Sequence, residues 1–217
     1  MAPEPAPTHQ AASPLHREPG GARWCPPGSH LRLNGVDVWP KPQQQPPPIW
    51  VGCTRTPANF EWTGAHGYGL MTIAHVLPID QLAQLTGIYR QAYAGAGHPT
   101  ERCRIAAHFN VLVDEDGDRA RKLATLYVDR TMNQGRPTFP ERNLAFHREG
   151  AAKLVEEGRV LAGSPDECVA LLERLHDEAG VTAVGCKLVY GGMPREQAER
   201  SARLFAEGVI PRLRGRA

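Results

Sequence analysis

Ile49-Trp50-Val51-Gly52-Cys53-Thr54-Arg55-Thr56-Pro57 is the stretch on which the rest of the chain turns. Ile49–Gly52 is a short apolar run of the kind that forms a buried strand. Hydroxyl residues follow, and then a proline. Pro57 suits the first position of a helix, where its missing N–H is not needed, and Thr56 before it stands where an N-cap belongs. A strand that feeds a helix N-terminus leaves unpaired backbone N–H groups at the positive end of the helix dipole, an arrangement that suits an anion. Gly52 lets the backbone approach such an anion, Thr54 or Thr56 can donate a hydroxyl hydrogen bond, and Arg55 can add charge. The stretch therefore reads as a turn that holds a cofactor phosphate. The plainer reading is a well-capped helix and nothing more.

Upstream of this stretch the chain is hard to fold. Residues 1–30 are rich in Pro, Ala, Gly, Ser and His without any period, which predicts a disordered arm, because too little apolar surface is available to offset the entropy of ordering. The alternation Leu31-Arg32-Leu33 and Val36-Asp37-Val38 around Asn34-Gly35 suggests a small hairpin or extended strand. Pro42–Pro48 favours polyproline II as a stiff approach to Ile49.

Downstream, strand and helix patterns alternate. Pro57–His66 reads as a helix and Gly69–Ile73 as a strand. Pro78 opens a long helix with Ile79, Leu82, Leu85, Tyr89 and Ala92 on one face. Arg104–Val113 is a long strand, and Asp114–Asp118 starts a helix with its acids where the dipole favours them. Residues 130–142 interrupt the pattern before a helix over Leu144–Glu157. Leu161-Ala162-Gly163 then leads into Ser164-Pro165-Asp166-Glu167, a capping box that opens a helix burying Cys168, Leu171, Leu172 and Leu175. Val181–Tyr190 is another strand, and a last helix from Pro194 turns Ala198, Ala202, Phe205 and Val209 inward. Four clear strands, at 49, 69, 104 and 181, with helices between them indicate an α/β domain with a parallel sheet.

Composition narrows the function classes. The chain has 217 residues and a formal net charge of +2, which gives no reason to expect nucleic acid or membrane electrostatics as partners. Its N-terminus shows neither the basic region nor the apolar run of a secretory signal, and no apolar run approaches the roughly 20 residues of a membrane helix. Cys25, Cys53, Cys103, Cys168 and Cys186 are widely spaced and odd in number. Reduced thiols in a cytoplasmic protein account for that better than disulfides or zinc. Metal binding has no support, since no H-x-x-x-H pair or carboxylate cluster with ligand spacing occurs.

Four blocks carry a family resemblance: VWPKPQQQPPPIWVG, FEWTGAHGYGLMTI, LAGSPDECVALLERLHDEAGV and LVYGGMPREQAERSARLFAEGVIPRLR. In this order they resemble the luciferase-like flavin-dependent monooxygenases, over roughly His30 to Arg214. The resemblance implies a TIM barrel with reduced FMN at the C-terminal ends of its strands, oxygen as co-substrate and a small organic substrate. Some relatives use the deazaflavin F420 for hydride transfer instead. The four strands match the family's fifth to eighth, so 31–217 is read as a partial domain, the C-terminal half of the barrel. A complete barrel takes about 250 residues, more than this chain holds with its arm. A half-barrel exposes strand edges, so self-association or a complementing N-terminal half-barrel is expected.

On this resemblance Gly52, Cys53, Thr54, Arg55 and Thr56 form the turn that holds the FMN phosphate. Cys53 contributes its backbone there and not a nucleophilic thiol. Met71 and His75 end the second strand and would line the pocket, His75 as a polar rim residue that titrates near neutral pH. His108 shares a strand face with Asn110, and Tyr190 and Gly191 close the last strand at the cofactor rim. The catalytic residue is not assigned. The rival readings are a non-catalytic half-barrel remnant and an F420-dependent hydride-transfer relative.

Overall fold

A computed structural model describes residues 39–134 and 149–213. The expected arm, the hairpin around Asn34-Gly35 and the segment 135–148 lie outside the described residues. The chain separates into a unit ending at Ile49 and one beginning at Trp50. Within the first unit, bends at 39–40 and 43–46 interrupt the expected polyproline stretch, and Lys41 Nζ lies 5.2 Å from the centre of the Trp39 ring.

The second unit is a parallel sheet with helices. Its order is β1 (Trp50–Gly52), α1 (Pro57–Ala65), β2 (Gly69–Ile73), α2 (Ile79–Gly95), β3 (Ile105–Val113), α3 (Gly117–Gln134), α4 (Ala151–Glu156), β4 (Leu161–Gly163), α5 (Pro165–Ala179), β5 (Ala183–Lys187), α6 (Arg195–Leu204) and α7 (Ile210–Leu213). A π-turn, Phe205–Val209, joins the last two helices. Each helix after a strand returns the chain to the sheet in the same direction, which is why every pairing is parallel.

The four anticipated strands lie side by side as β1-β2-β3-β5, with β2 against Ile105–His108 and β5 against Ala106–Asn110 of the long central strand. A fifth strand corrects the count of four: β4 pairs with Val111–Val113, the C-terminal extension of β3. At three residues it is too short to show a period. The last strand also ends earlier than expected, at Lys187. After it the chain turns, leaving Val189 64% exposed while Tyr190 is buried.

Alternation along β3 divides the core. Ile105, Ala107, Phe109, Val111 and Val113 are buried in one cluster with residues of α1, α2 and α5. At the C-terminal end of the strand, Leu112 joins a second cluster with Tyr127, Leu154, Val160, Tyr190 and Met193. Earlier on that same face His108 is exposed and Asn110 half-buried. Register places Gly52 and Met71 beside Ala106, and Ile73 beside His108 and Gly185. This is the uncovered side of the sheet.

Buried polar groups fix the layers. Tyr89 on α2 donates its hydroxyl to the Tyr68 carbonyl at 2.9 Å. The Val113 N–H donates to Ser201 Oγ at 2.8 Å, tying α6 to the central strand. α5 carries the capping box as read: Ser164 Oγ accepts from the Glu167 N–H, and Glu167 accepts from the Ser164 N–H. Its C-terminus closes on Gly180 at φ 64°, a left-handed position that suits glycine.

Candidate functional site

The turn after β1 is built as its sequence predicts, with two changes. Helix α1 begins at Pro57 with Thr56 in extended backbone at the N-cap, but the Thr56 hydroxyl makes no capping bond. In the first turn Pro57 has no N–H and the Asn59 N–H donates to the Thr56 carbonyl at 2.9 Å, which leaves the Ala58 N–H as the amide without an intrahelical partner; Thr54 and Thr56 stand exposed beside it. Above Gly52 the space is open: a Cβ placed there would meet nothing within 4 Å. Arg55 donates from Nη2 to the Val76 carbonyl at 3.0 Å, which anchors its guanidinium next to the turn.

Cys53 departs from its expected role. Its N–H donates to the Met71 carbonyl at 2.9 Å, as part of the β1–β2 ladder, and so is not offered to an anion. Its side chain is 1% exposed and points into the core. Sγ lies 3.4 Å from Thr63 Oγ1, whose own proton goes to the Asn59 carbonyl at 2.6 Å. Burial pushes the thiol pKa up, against the smaller opposing effect of the Thr63 hydrogen bond. The thiol is a protonated wall of the turn.

The pocket residues fall into two groups. Met71 and His108 stand on the uncovered sheet face, Met71 half-buried and His108 exposed. The His108 ring lies across Gly185, where a Cβ would approach its Nδ1 to 2.4 Å, so the glycine makes room for the imidazole. His75 follows β2 in a single 3-10 turn, Ala74–Val76, and is half-buried. Tyr190 and Gly191 lie elsewhere, in the second core cluster under α3. Tyr190 meets Tyr127 edge to face with ring centres 6.4 Å apart, and burial raises its phenol pKa. Gly191 sits at φ +61°, and a Cβ there would come within 1.9 Å of the Tyr127 carbonyl. Both do packing work where a rim role was expected, because the chain turns inward after Val189.

An open cavity of about 890 Å³ adjoins the turn, between the start of α2 and α4. Of the anticipated residues only Arg55 lines it. Its most buried charge is Arg159, whose side chain is 2% exposed and ion-paired with Glu149 and Glu157. No sequence signal marks Arg159, since both partners are local acids on a polar segment. Among the described residues there is no group of His, Cys, Asp or Glu that could hold a metal ion, and no helix is long and apolar enough to cross a membrane.

Comparison with known proteins places this geometry. Residues 26–183 match the luciferase-like monooxygenase family. Monooxygenase RslO1 from Streptomyces bottropensis superposes with a TM-score of 0.64 at 28% identity, covering 91% of this chain and 57% of that one. The F420-dependent tetrahydromethanopterin reductase from Methanopyrus kandleri gives 0.62 at 19% identity, covering 92% and 60%. The oxygenating constituent of 3,6-diketocamphane monooxygenase from Pseudomonas putida, a complex with FMN, gives 0.59 at 18%, covering 91% and 59%. At those two lower identities the likeness shows the fold alone. Uncharacterized protein y4wF of Sinorhizobium fredii is 22% identical over 196 residues, 86% of this chain and 55% of its own length. The chain thus spans little more than half the length of the proteins it matches.

Proposed function

The chain belongs to the luciferase-like monooxygenase family, and from that premise we propose that it carries the phosphate-binding part of a flavin-dependent oxidoreductase. In this reading β1, β2, β3 and β5 correspond to the fifth to eighth strands of an eight-stranded barrel. The observation that carries it is the turn after β1: open space over Gly52, two exposed hydroxyls, an anchored guanidinium and the N-terminus of α1, where the Ala58 N–H has no intrahelical partner. In barrels of this kind the strand C-terminal ends are where active sites form.

The residues present fit the phosphate end of FMN. Thr54 and Thr56 donate hydroxyl hydrogen bonds, α1 supplies the Ala58 amide and the positive end of its dipole, and Arg55 balances charge. Met71 and His108 offer one wall for a ring system, and His75 stands at the rim as a group that can hold or release a proton. Reduced flavin, when bound, supplies the electrons for oxygen chemistry on a small organic substrate; the chain's own part is to bind, orient and shield.

Titration of the purified chain with oxidised FMN, reduced FMN and F420 tests this. Saturable FMN binding is expected, and Thr54→Ala should weaken it by about 1.5–3 kcal/mol, the value of a hydrogen bond to a charged group. Unchanged affinity moves the phosphate elsewhere. The F420 relatives among the structural neighbours favour a second reading, hydride transfer on F420 without oxygen. Binding of F420 in preference to FMN would select it. Failure of all three to bind at high micromolar concentration leaves the non-catalytic remnant.

A further inference from the structure

Parallel sheets in proteins are ordinarily covered on both faces. Here α1, α2 and α5 cover one face, while on the other Trp50 is 41% and Ile73 39% exposed and His108 and Lys187 stand in the open. Within the second unit β1 and β5 are the lateral strands. The Thr182 N–H donates to the Ile105 carbonyl. Because peptide groups alternate along a strand, Val184 and Cys186 also face β3, and Ala183, Gly185 and Lys187 turn theirs outward. At the opposite edge the Cys53 N–H donates to Met71, so the peptide groups of Trp50 and Gly52 turn outward.

These two edges are complementary. All strands run in one direction, so a two-fold axis along the strands sets β1 of one copy beside β5 of another, in parallel, and does so twice. Each copy brings four strands side by side, β1-β2-β3-β5, with the short β4 attached only to the C-terminal extension of β3. Two copies therefore make eight, the number at which a parallel barrel closes with its interior filled by side chains. On the open face the space over Gly52 is empty, while the Trp50 ring lies over Gly69 and the His108 ring over Gly185, so the face presents these two rings to a facing wall. Lys187 stands at the C-terminal end of β5, at the mouth of such a barrel, where its ammonium stays in water.

We propose that two copies of this chain associate edge to edge, β1 of each against β5 of the other, and bury their open sheet faces in one shared barrel. The contact is isologous, and each copy supplies both edges. It gives the phosphate turn of each copy the facing wall that a single copy lacks. It rests on the half-barrel reading above but not on the cofactor, since its readout is mass and edge protection. A dimer that binds no flavin upholds it, and a flavin-binding monomer overturns it.

Light scattering on the full chain at high micromolar concentration should return twice the monomer mass of 23.8 kDa. Ala183→Pro removes an outward N–H while leaving the bonds to β3 in place, as edge strands tolerate. It should weaken the dimer by about tenfold or more, with unchanged far-ultraviolet circular dichroism. Hydrogen exchange on the unaltered chain gives an answer that does not depend on the variant's folding. The amides of Trp50, Gly52, Ala183 and Gly185 should be slower in concentrated than in dilute solution. A monomer, a dimer indifferent to Ala183→Pro in a folded variant, or edge amides indifferent to concentration each overturns the proposal.

Discussion

The two faces of the central strand differ as sharply as two proteins would. On one side Ile105, Ala107, Phe109, Val111 and Val113 are all buried against helices. On the other, Ala106, His108 and Asn110 pass from small to polar, and His108 lies exposed over Gly185. Successive residues of one strand thus serve opposite ends. The covered face supplies the burial that holds the fold, and the open face leaves polar side chains accessible. Buried and accessible positions are separated by a single step along the backbone, because the side-chain period of a strand is two.

That contrast can be broken by substitution. Phe109→Ala on the covered face should cost about 3–5 kcal/mol, as truncation of a buried aromatic does, read from chemical denaturation. In dilute solution, where the chain is monomeric, the adjacent His108→Ala on the open face should change stability by no more than about 0.5 kcal/mol. Comparable losses at both positions under those conditions would mean that the open face is covered within a single copy.

Gly191→Ala sharpens the contrast between packing and site. It places a Cβ at φ +61° against the Tyr127 carbonyl, so it should destabilise the chain by about 2–4 kcal/mol through strain and overpacking. This loss should appear with no cofactor present. A variant of full stability with altered flavin binding would return Gly191 to the rim.

The smallest effect concerns acid. Asp114, the residue after β3, has a buried carboxylate bonded to the Arg119 guanidinium and the Asp116 N–H. Burial alone would raise its pKa, but those hydrogen bonds and the charges of Arg119 and Arg200 bring it below the ordinary value. A lowered folded pKa contributes stability that is complete above the unfolded value of about 3.9 and is lost as pH falls through the folded one. Denaturation midpoints should therefore drop over that window, and less so in Asp114→Asn.

Much of this architecture was legible in the residues because it is local. The period of Ile79, Leu82, Leu85 and Tyr89 marks α2, and Ser164 with Glu167 marks the start of α5 with its cap. The turn after β1 was legible for the same reason, as a strand, a glycine, hydroxyls and a proline in series. What escaped was set by partners distant in sequence. β4 exists because the end of β3 offers it an edge. Cys53 spends its N–H on Met71 and its thiol on Thr63. Tyr190 and Gly191 are drawn inward by Tyr127, which no nearby residue announces.

The bond from the Val113 N–H to Ser201 Oγ joins residues 88 positions apart. At synthesis rates of roughly 5–20 residues per second, the ribosome needs about 4–18 s to make that intervening length. For that interval the end of the central strand leaves the ribosome without the hydroxyl that later satisfies it. β3 also waits for β5, its neighbour along Ala106–Asn110. Completion of the sheet is therefore a late event in biosynthesis, and the nascent chain carries its most apolar strand with one side unpaired, a natural point of engagement for chaperones.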